Sequence, residues 1–240
     1  MKSLFVFHSP PGPCGYLPDR TWTLRYELVG ELTATEYEAR MAAGWRKFGR
    51  SLFRPECPNC TDCQPLRIDP NRFVPGKTMK RVKKLNSGAL TLTIAEPSVT
   101  AEKLELHDRF HRFQSDSKGW PFHGEKSASD YSDSFVDNPF PVEEWRYELD
   151  GRLAGIGYVD ALPASLSMIY FFYDPELRDR SLGTFNVLKG LDEAKRRKLG
   201  HVYLGYFVDG CRSLEYKARF GPNEVYHWET KRWIARESSE

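Results

Sequence analysis

The stretch of sequence that decides the fold is Glu144-Trp-Arg-Tyr-Glu-Leu149, then Asp150-Gly151, then Leu153-Ala-Gly-Ile-Gly-Tyr-Val159. An Asp-Gly pair between two runs that alternate in polarity is a strong local signal for a β-hairpin. A third apolar run, from Ser165 to Tyr173, extends the hairpin into a predicted three-stranded meander. Since antiparallel strands are then followed by helix-forming sequence, we expect an α+β fold.

The segment after the meander predicts a site for phosphate. The loop Arg180-Ser-Leu-Gly183-Thr-Phe precedes an amphipathic helix from Leu182 to about Lys198 and a strand from Val202 to Tyr206. Backbone N–H groups at a helix N-terminus bind phosphate, glycine permits close approach, and Arg180 adds a positive charge. This order resembles the acyl-donor loop of GNAT acetyltransferases, so we expect a GNAT-like domain with a mixed, mostly antiparallel sheet and helices.

The first half of the chain has a different pattern. Residues 1–20 carry four prolines and should form an extended loop, and Thr33, three residues before Glu36, marks a capped helix start. Short strands flank a cysteine cluster, a basic helix should run from Lys77 to Leu85, another helix should start at Thr100, and residues 120–141 should be a long loop. We therefore predict a smaller cysteine-containing α+β domain over residues 1–95, followed by the GNAT-like domain over residues 96–240.

Positive charge is concentrated in one segment. Residues 46–84 carry eleven Lys or Arg against three Asp or Glu, a net charge of +8, while the whole chain carries only +2. The remainder is therefore −6. A basic segment interleaved with aromatic residues is typical of a surface that holds a nucleic acid, although a solvated basic face has the same composition.

Three of the five cysteines lie in one heptapeptide, Cys57-Pro-Asn-Cys60-Thr-Asp-Cys63. With Cys14 they could supply four thiolate ligands to zinc or to an iron–sulfur cluster. Buried free thiols are the alternative. Such close spacing is not that of a disulfide framework, and no apolar run is long enough for a membrane span or a secretory signal, so we expect a cytoplasmic protein without a membrane partner.

Motifs in both halves match one family. The first half shows Cys14-Gly-Tyr-Leu-Pro-Asp-Arg20 and the cysteine triplet followed by Gln-Pro-Leu-Arg67. The second half shows Tyr170-Phe-Phe-Tyr-Asp-Pro175 and Cys211-Arg-Ser-Leu-Glu-Tyr216-Lys-Ala-Arg-Phe220. Over about residues 12–225 the chain resembles the arginyl and leucyl aminoacyl-tRNA–protein transferases of the N-degron pathway, and its bacterial leucyl branch most of all.

The resemblance implies that the chain transfers an amino acid, with leucine favoured and arginine possible, from aminoacyl-tRNA to the N-terminal amine of proteins that begin with Asp or Glu, which marks them for degradation. The ester is already activated, so the enzyme has to hold the amine, stabilise the oxyanion and protonate the ribose oxygen. No cofactor is required for that chemistry, and we expect a monomer. Eukaryotic relatives carry a different cysteine pattern, so a cluster in them does not transfer ligand for ligand.

Candidate site residues follow from this chemistry. Asp174 and Lys217 are the candidate catalytic residues, although Asp174 could equally form a turn before Pro175. An acidic acceptor side chain calls for a bidentate arginine, for which Arg54 and Arg67 are the candidates, although either could equally bind phosphate or a structural acid. Candidate contacts to the donor tRNA are Arg180, Gly183, Tyr216, Arg219, Lys80, Arg81, Lys83 and Lys84.

Two other functions fit parts of the sequence. A coenzyme A-dependent GNAT N-acetyltransferase would share the fold, and it should be stabilised by coenzyme A. A non-catalytic RNA-binding or metal-sensing protein would share the basic segment and the cysteines. The three hypotheses differ in the transfer activity that they predict.

Overall fold

The computed structural model describes residues 1–122 and 124–236. Its strands are β1 (Lys2–His8), β2 (Gly12–Pro13), β3 (Thr21–Trp22), β4 (Leu24–Glu31), β5 (Arg46–Phe48), β6 (Ser51–Pro55), β7 (Gln64–Ile68), β8 (Leu90–Ala95), β9 (Glu143–Leu149), β10 (Arg152–Ala161), β11 (Ser165–Tyr173), β12 (His201–Phe207), β13 (Asn223–His227) and β14 (Arg232–Ala235). Its α-helices are α1 (Ala34–Ala42), α2 (Lys77–Asn86), α3 (Ala101–Lys118), α4 (Ala128–Tyr131), α5 (Leu182–Arg196) and α6 (Arg212–Glu215). Short 3₁₀ helices cover Pro175–Arg180 and Tyr216–Arg219.

An eight-stranded sheet forms the centre of the molecule, in the order β14-β13-β7-β12-β11-β10-β9-β8. All its pairings are antiparallel except that of β11 with β12, which is parallel because α5 carries the chain back across the sheet. The predicted α+β architecture with a mixed, mostly antiparallel sheet is confirmed.

The hairpin predicted at Asp150-Gly151 is present between β9 and β10. Both turn residues have positive φ, 49° at Asp150 and 74° at Gly151, as a two-residue hairpin turn of matching twist requires. The capping box predicted for α1 is also present, because the Thr33 hydroxyl accepts a hydrogen bond from the Glu36 amide at 3.2 Å, and the Thr33 amide donates to the Glu36 carboxylate at 2.9 Å.

The two halves of the chain share the large sheet. Strand β7, from the cysteine-containing half, lies between β12 and β13, and β8 forms one edge beside β9. Leu66 and Ile68 of β7 are fully buried in the same core as Val202 and Phe185. The predicted division near residue 95 therefore does not coincide with an edge of this sheet.

A second sheet, in the order β1-β4-β6-β5, belongs to the first half, with α1 packed on it, and β2 and β3 form a separate two-stranded sheet. The prediction of an extended loop over residues 1–20 was incomplete, since Lys2–His8 forms an edge strand whose seven residues are all exposed. The prediction of a long loop over residues 120–141 was wrong in part, because α4 and a π-helical turn at Ser132–Val136 bury Tyr131 and Phe135 there. No helix in the described ranges is long and apolar enough to cross a membrane.

Candidate active site

A gap opens in the large sheet where β11 and β12 part. The two strands pair only from Ser165 to Ser167, opposite His201 to Tyr203, although both continue for several residues. Beyond that point the pairing of β12 with β7 shifts register next to Gly205, whose φ is 81°. Splayed parallel strands leave unpaired backbone groups, which other groups can reach.

Arg46, the first residue of β5, fills the start of this gap. Its Nη1 donates to Ser167 Oγ and its Nη2 to the Met168 carbonyl, both at 3.1 Å. A Cβ at Gly205 would lie 3.4 Å from the guanidinium, so glycine leaves room for it. No sequence signal marks this position beyond the basic segment as a whole, because Arg46 and Ser167 are 121 residues apart in the chain.

Lys217 lies beside the same gap, in the 3₁₀ helix after α6. Only 9% of the residue is exposed, and its Nζ donates to the Tyr206 carbonyl of β12 at 2.6 Å. Burial, and then the positive charge of Arg46, lowers the pKa of Lys217 to about 7. A lysine of this pKa can accept or release a proton near neutral pH.

Asp174 follows the last residue of β11. Its Oδ1 accepts a hydrogen bond from the Glu176 amide at 3.1 Å, and its Oδ2 lies 3.3 Å from Nη2 of Arg109 on α3. The turn interpretation of this residue is therefore correct locally. Among the described residues no hydrogen bond or ion pair joins Asp174 to Lys217.

A cleft of about 430 Å³ lies where the first turns of α2 and α5 approach the 3₁₀ helix that carries Lys217. Residues from all three elements line it: Gly76, Lys77, Thr78, Met79, Thr184, Tyr216, Arg219 and Phe220. Neither α2 nor α5 has a side-chain cap, so the N–H groups of their first turns are available to a ligand. Two helix N-termini and two basic side chains favour an anion in this cleft.

The predicted donor residues are distributed around this cleft. Tyr216 and Arg219 line it, and Gly183 lies in the first turn of α5 with nothing within 4 Å of the position that a Cβ would take. Arg180 does not line the cleft. Its Nη1 lies 3.4 Å from the Leu85 carbonyl, and its own carbonyl accepts from Asn86 Nδ2 at 2.9 Å, so this residue fastens α2 to the loop before α5.

The four predicted basic residues of α2 differ in their environment. Lys80, Arg81 and Lys84 are exposed, whereas Lys83 is half-buried and pairs with Asp192 of α5 at 2.7 Å. Three of the four therefore present their charges to solvent on the helix that also borders the cleft. The fourth is largely neutralised by its partner.

Both candidate acceptor arginines already hold a carboxylate. Arg67 lies 2.7 Å from Glu224 and packs over Trp233, with 4.3 Å from guanidinium carbon to ring centre. Arg54 lies 2.5 Å from Glu56 and packs over Trp45 at 4.9 Å. The two sites have the same construction of arginine, carboxylate and tryptophan.

The thiols of Cys14, Cys57, Cys60 and Cys63 lie in one region. Burial, and then the charges of Cys57, Cys14 and Cys60, raises the pKa of Cys63 to about 12. Across residues 1–122 and 124–236, however, no three Cys, His, Asp or Glu side chains converge in a way that could hold a metal ion. Zinc or an iron–sulfur cluster at these four cysteines stays a prediction.

Comparison with known proteins gives two family models that match this chain. The model described as arginine-tRNA-protein transferase, N terminus, matches residues 12–81, and the model for the C terminus of the same family matches residues 102–227. The second match alone covers more than half of the chain and includes β11, β12 and Lys217, while Arg46 and the first turn of α2 lie in the first match. The boundary between the two models lies close to α2 and β8.

Curated relatives cover nearly the whole chain. An aspartate/glutamate leucyltransferase of Pseudoalteromonas atlantica is 38% identical over 215 residues, which is 89% of this chain and 90% of that protein. One of Helicobacter hepaticus is 34% identical over 92% of each chain. Among solved structures, FemX superposes with a TM-score of 0.49 and 9% identity, covering 91% of this chain and 84% of FemX.

Proposed function

Because this chain belongs to the arginine-tRNA-protein transferase family, we propose that it transfers leucine from leucyl-tRNA to the α-amine of proteins that begin with Asp or Glu. The choice of leucine and of acidic acceptors comes from relatives named aspartate/glutamate leucyltransferases. We further propose that the enzyme acts in the cytoplasm, where charged tRNA is present, and as a monomer.

The proposal rests mainly on one observation: the cleft at the first turns of α2 and α5 lies beside the gap in the sheet. Tyr216 and Arg219 line the cleft, and Lys217 between them donates to Tyr206 in the gap. A terminal phosphate of the tRNA bound at the helix N-termini would thus leave its esterified amino acid close to Lys217. Tyr216 offers an aromatic face for a terminal base, which is how proteins commonly hold single-stranded ends.

The reaction requires the transfer of one proton from the acceptor amine to the ribose oxygen that leaves. The acceptor nitrogen attacks the ester carbonyl, the new C–N bond forms, and the C–O bond to the ribose breaks. Neutral Lys217 accepts the proton that the amine loses and gives it to the departing ribose oxygen. In this proposal Arg46 stabilises the developing oxyanion, and Asp174 orients the amine.

The basic face of α2 supports the same donor. Lys80, Arg81 and Lys84 are exposed on the helix whose first turn borders the cleft, so the charges continue from the site of the terminal phosphate along the surface. Such a track suits the backbone of an acceptor stem. The match to the family leaves the coenzyme A-dependent acetyltransferase and the non-catalytic RNA-binding or metal-sensing protein without support of their own.

Transfer of label tests the proposal directly. The protein is incubated with labelled leucyl-tRNA or arginyl-tRNA and with peptides that begin with Asp, Glu, Lys or Arg. We expect label from leucyl-tRNA on the Asp and Glu peptides. The absence of transfer in every combination would contradict the proposed activity, and transfer from arginyl-tRNA alone would contradict the proposed donor.

A further inference from the structure

Two arginines and a histidine surround one carboxylate at the end of the four-stranded sheet. His8 Nε2 lies 2.7 Å from Glu56 Oε2, Arg54 Nη2 lies 2.5 Å from Glu56 Oε1, and Arg25 Nη1 lies 3.7 Å from the same oxygen. A single carboxylate cannot neutralise both guanidinium groups, those of Arg25 and Arg54. We call these four residues the Glu56 cluster.

The strand register places these side chains where they reduce the stability of the sheet. Arg25 lies directly opposite His8 on one side and directly opposite Arg54 on the other. Like charges directly opposite each other across strands destabilise a sheet. Arg25 Nε is also buried with no hydrogen-bond partner among the described residues. Positions that break such a local rule are where functional sites are expected.

Trp45 fixes the arginines in place. The guanidinium carbons of Arg25, Arg40 and Arg54 lie 5.7, 5.1 and 4.9 Å from the centre of its ring. Trp45 itself is buried, and it directly precedes Arg46 of the gap. Trp45 therefore links the Glu56 cluster to the strand that carries Arg46.

We propose, on the basis of the proposed function, that Glu56 occupies the binding site of the acceptor's acidic side chain when no acceptor is bound. When a protein that begins with Asp or Glu binds, its carboxylate takes the place of Glu56 on Arg54 and Arg25. Glu56 is itself a carboxylate held in this way, so the contacts already have the geometry that an acidic side chain needs. The exchange makes binding depend on competition between two carboxylates.

Charge favours the Glu56 cluster over the other candidate arginine. Arg67 and Glu224 form a balanced pair, one cation with one anion, and the side chain of Arg67 is 17% exposed. Around Glu56 there is a surplus of positive charge, and the side chains of Arg54 and Arg25 are 30% and 36% exposed. An additional carboxylate is therefore attracted to the second site more than to the first.

The variant Glu56→Gln tests this substitution. Removing the internal carboxylate should lower KM several-fold for peptides that begin with Asp or Glu, because they no longer compete with it, and should leave KM for leucyl-tRNA as it was. Arg54→Gln should raise the peptide KM about tenfold or more. Glu193→Gln is the matched control, since Glu193 also holds two arginines, Arg196 and Arg197, but near the end of α5 and outside the Glu56 cluster.

Each other outcome contradicts the proposal. A fall in KM for leucyl-tRNA in Glu56→Gln assigns the cluster to RNA phosphate, and a fall in peptide KM only in Glu224→Gln assigns the acceptor to Arg67. If Glu56→Gln and Arg54→Gln both keep the wild-type KM for the peptide, with Tm and circular dichroism like the wild type, the Glu56 cluster is purely structural. If Glu56→Gln does not fold, the Arg54→Gln value decides. Failure of the wild-type enzyme to label any peptide would instead contradict the proposed function.

Discussion

Lys217 is a candidate catalytic residue whose proton affinity is lowered by the fold. Its pKa of about 7 comes from burial and from Arg46. Above that pH the amine is neutral and can accept a proton, so transfer should increase as the pH rises through about 7. The acceptor amine, with a pKa of about 7.7–8.0, adds its own increase at higher pH.

In Lys217→Met the increase near pH 7 should disappear and kcat should fall about 10²-fold or more, the usual contribution of general acid–base catalysis. Lys217→Arg keeps a positive charge that cannot be removed, so it should be as defective as the Met variant. The measurement is kcat against pH for the three proteins. An Arg variant with wild-type activity would show that only the charge of Lys217 matters.

Asp174 can be tested without disturbing the turn that it forms. In Asp174→Asn the amide oxygen can still accept from the Glu176 amide, while the negative charge is lost. If the charge orients the acceptor amine, kcat/KM for the peptide should fall tenfold or more, and Tm should stay within a degree or two. Glu176→Gln, two residues along the exposed 3₁₀ helix, is the control. Full activity in Asp174→Asn would leave this residue a capping role alone.

At the scale of an element, helix α2 carries three exposed basic residues and one, Lys83, that is paired with Asp192, so their effects on tRNA binding can be compared. Neutralising Lys80, Arg81 and Lys84 together should weaken binding of tRNA and reduce the slope of log affinity against log salt by roughly 2, at about 0.7 to 0.9 for each phosphate that is no longer neutralised. Lys83→Gln should change the slope much less, because Asp192 already holds Lys83 at 2.7 Å. The slope is measured by filter binding at several salt concentrations. Equal effects of Lys83→Gln and of each exposed position would contradict the assignment.

Alanine substitutions at two glycines of α5 should have different effects, one on ligand binding and the other on packing. In Gly183→Ala the new methyl group meets no atom of the protein, so stability should hold or rise by about 0.5–1 kcal/mol, while KM for leucyl-tRNA should rise if phosphate approaches that turn. In Gly190→Ala the methyl group would lie 2.8 Å from Met168 Sδ, so stability should fall and KM should not change. Thermal unfolding and donor kinetics on both variants check this. An unchanged donor KM in Gly183→Ala would remove the first turn of α5 from the site.

Elements with local signals were predictable from the sequence. The hairpin depends on Asp150-Gly151, and α1 on the capping pair Thr33 and Glu36, so neighbours in the chain fixed both. The π-helical turn at Ser132–Val136 was not predictable, because the burial of Phe135 against Tyr158, at 4.5 Å between ring centres, stabilises a polar segment that has no helical periodicity of its own.

The candidate site was predictable only in its separate parts. The loop before α5 and the motif around Lys217 are contiguous in sequence. The tertiary structure brings both of them together with the first turn of α2 in one cleft. It also places the Arg46 side chain in the gap. The same is true of the burial that lowers the pKa of Lys217.

At the scale of the whole molecule, the two halves should not fold apart. A fragment of residues 96–240 lacks β7, and without it β12 and β13 each lose a partner on the side that β7 occupies. Leu66 and Ile68 would also leave a cavity in the core. We expect the fragment to show little β-sheet by circular dichroism and no cooperative thermal transition, and adding residues 1–95 in trans should restore some structure. A fragment that melts cooperatively by itself would contradict this.

The place of β7 also has a consequence during synthesis on the ribosome. Ile68 pairs with Val202, 134 residues later in the chain, and with Asn223 beyond it. At about 5–20 residues per second, β7 waits roughly 7 s or more for its first sheet partner to be made. Until then its apolar side chains have no core to enter, so we expect the central sheet to close only after β12 and β13 have been made.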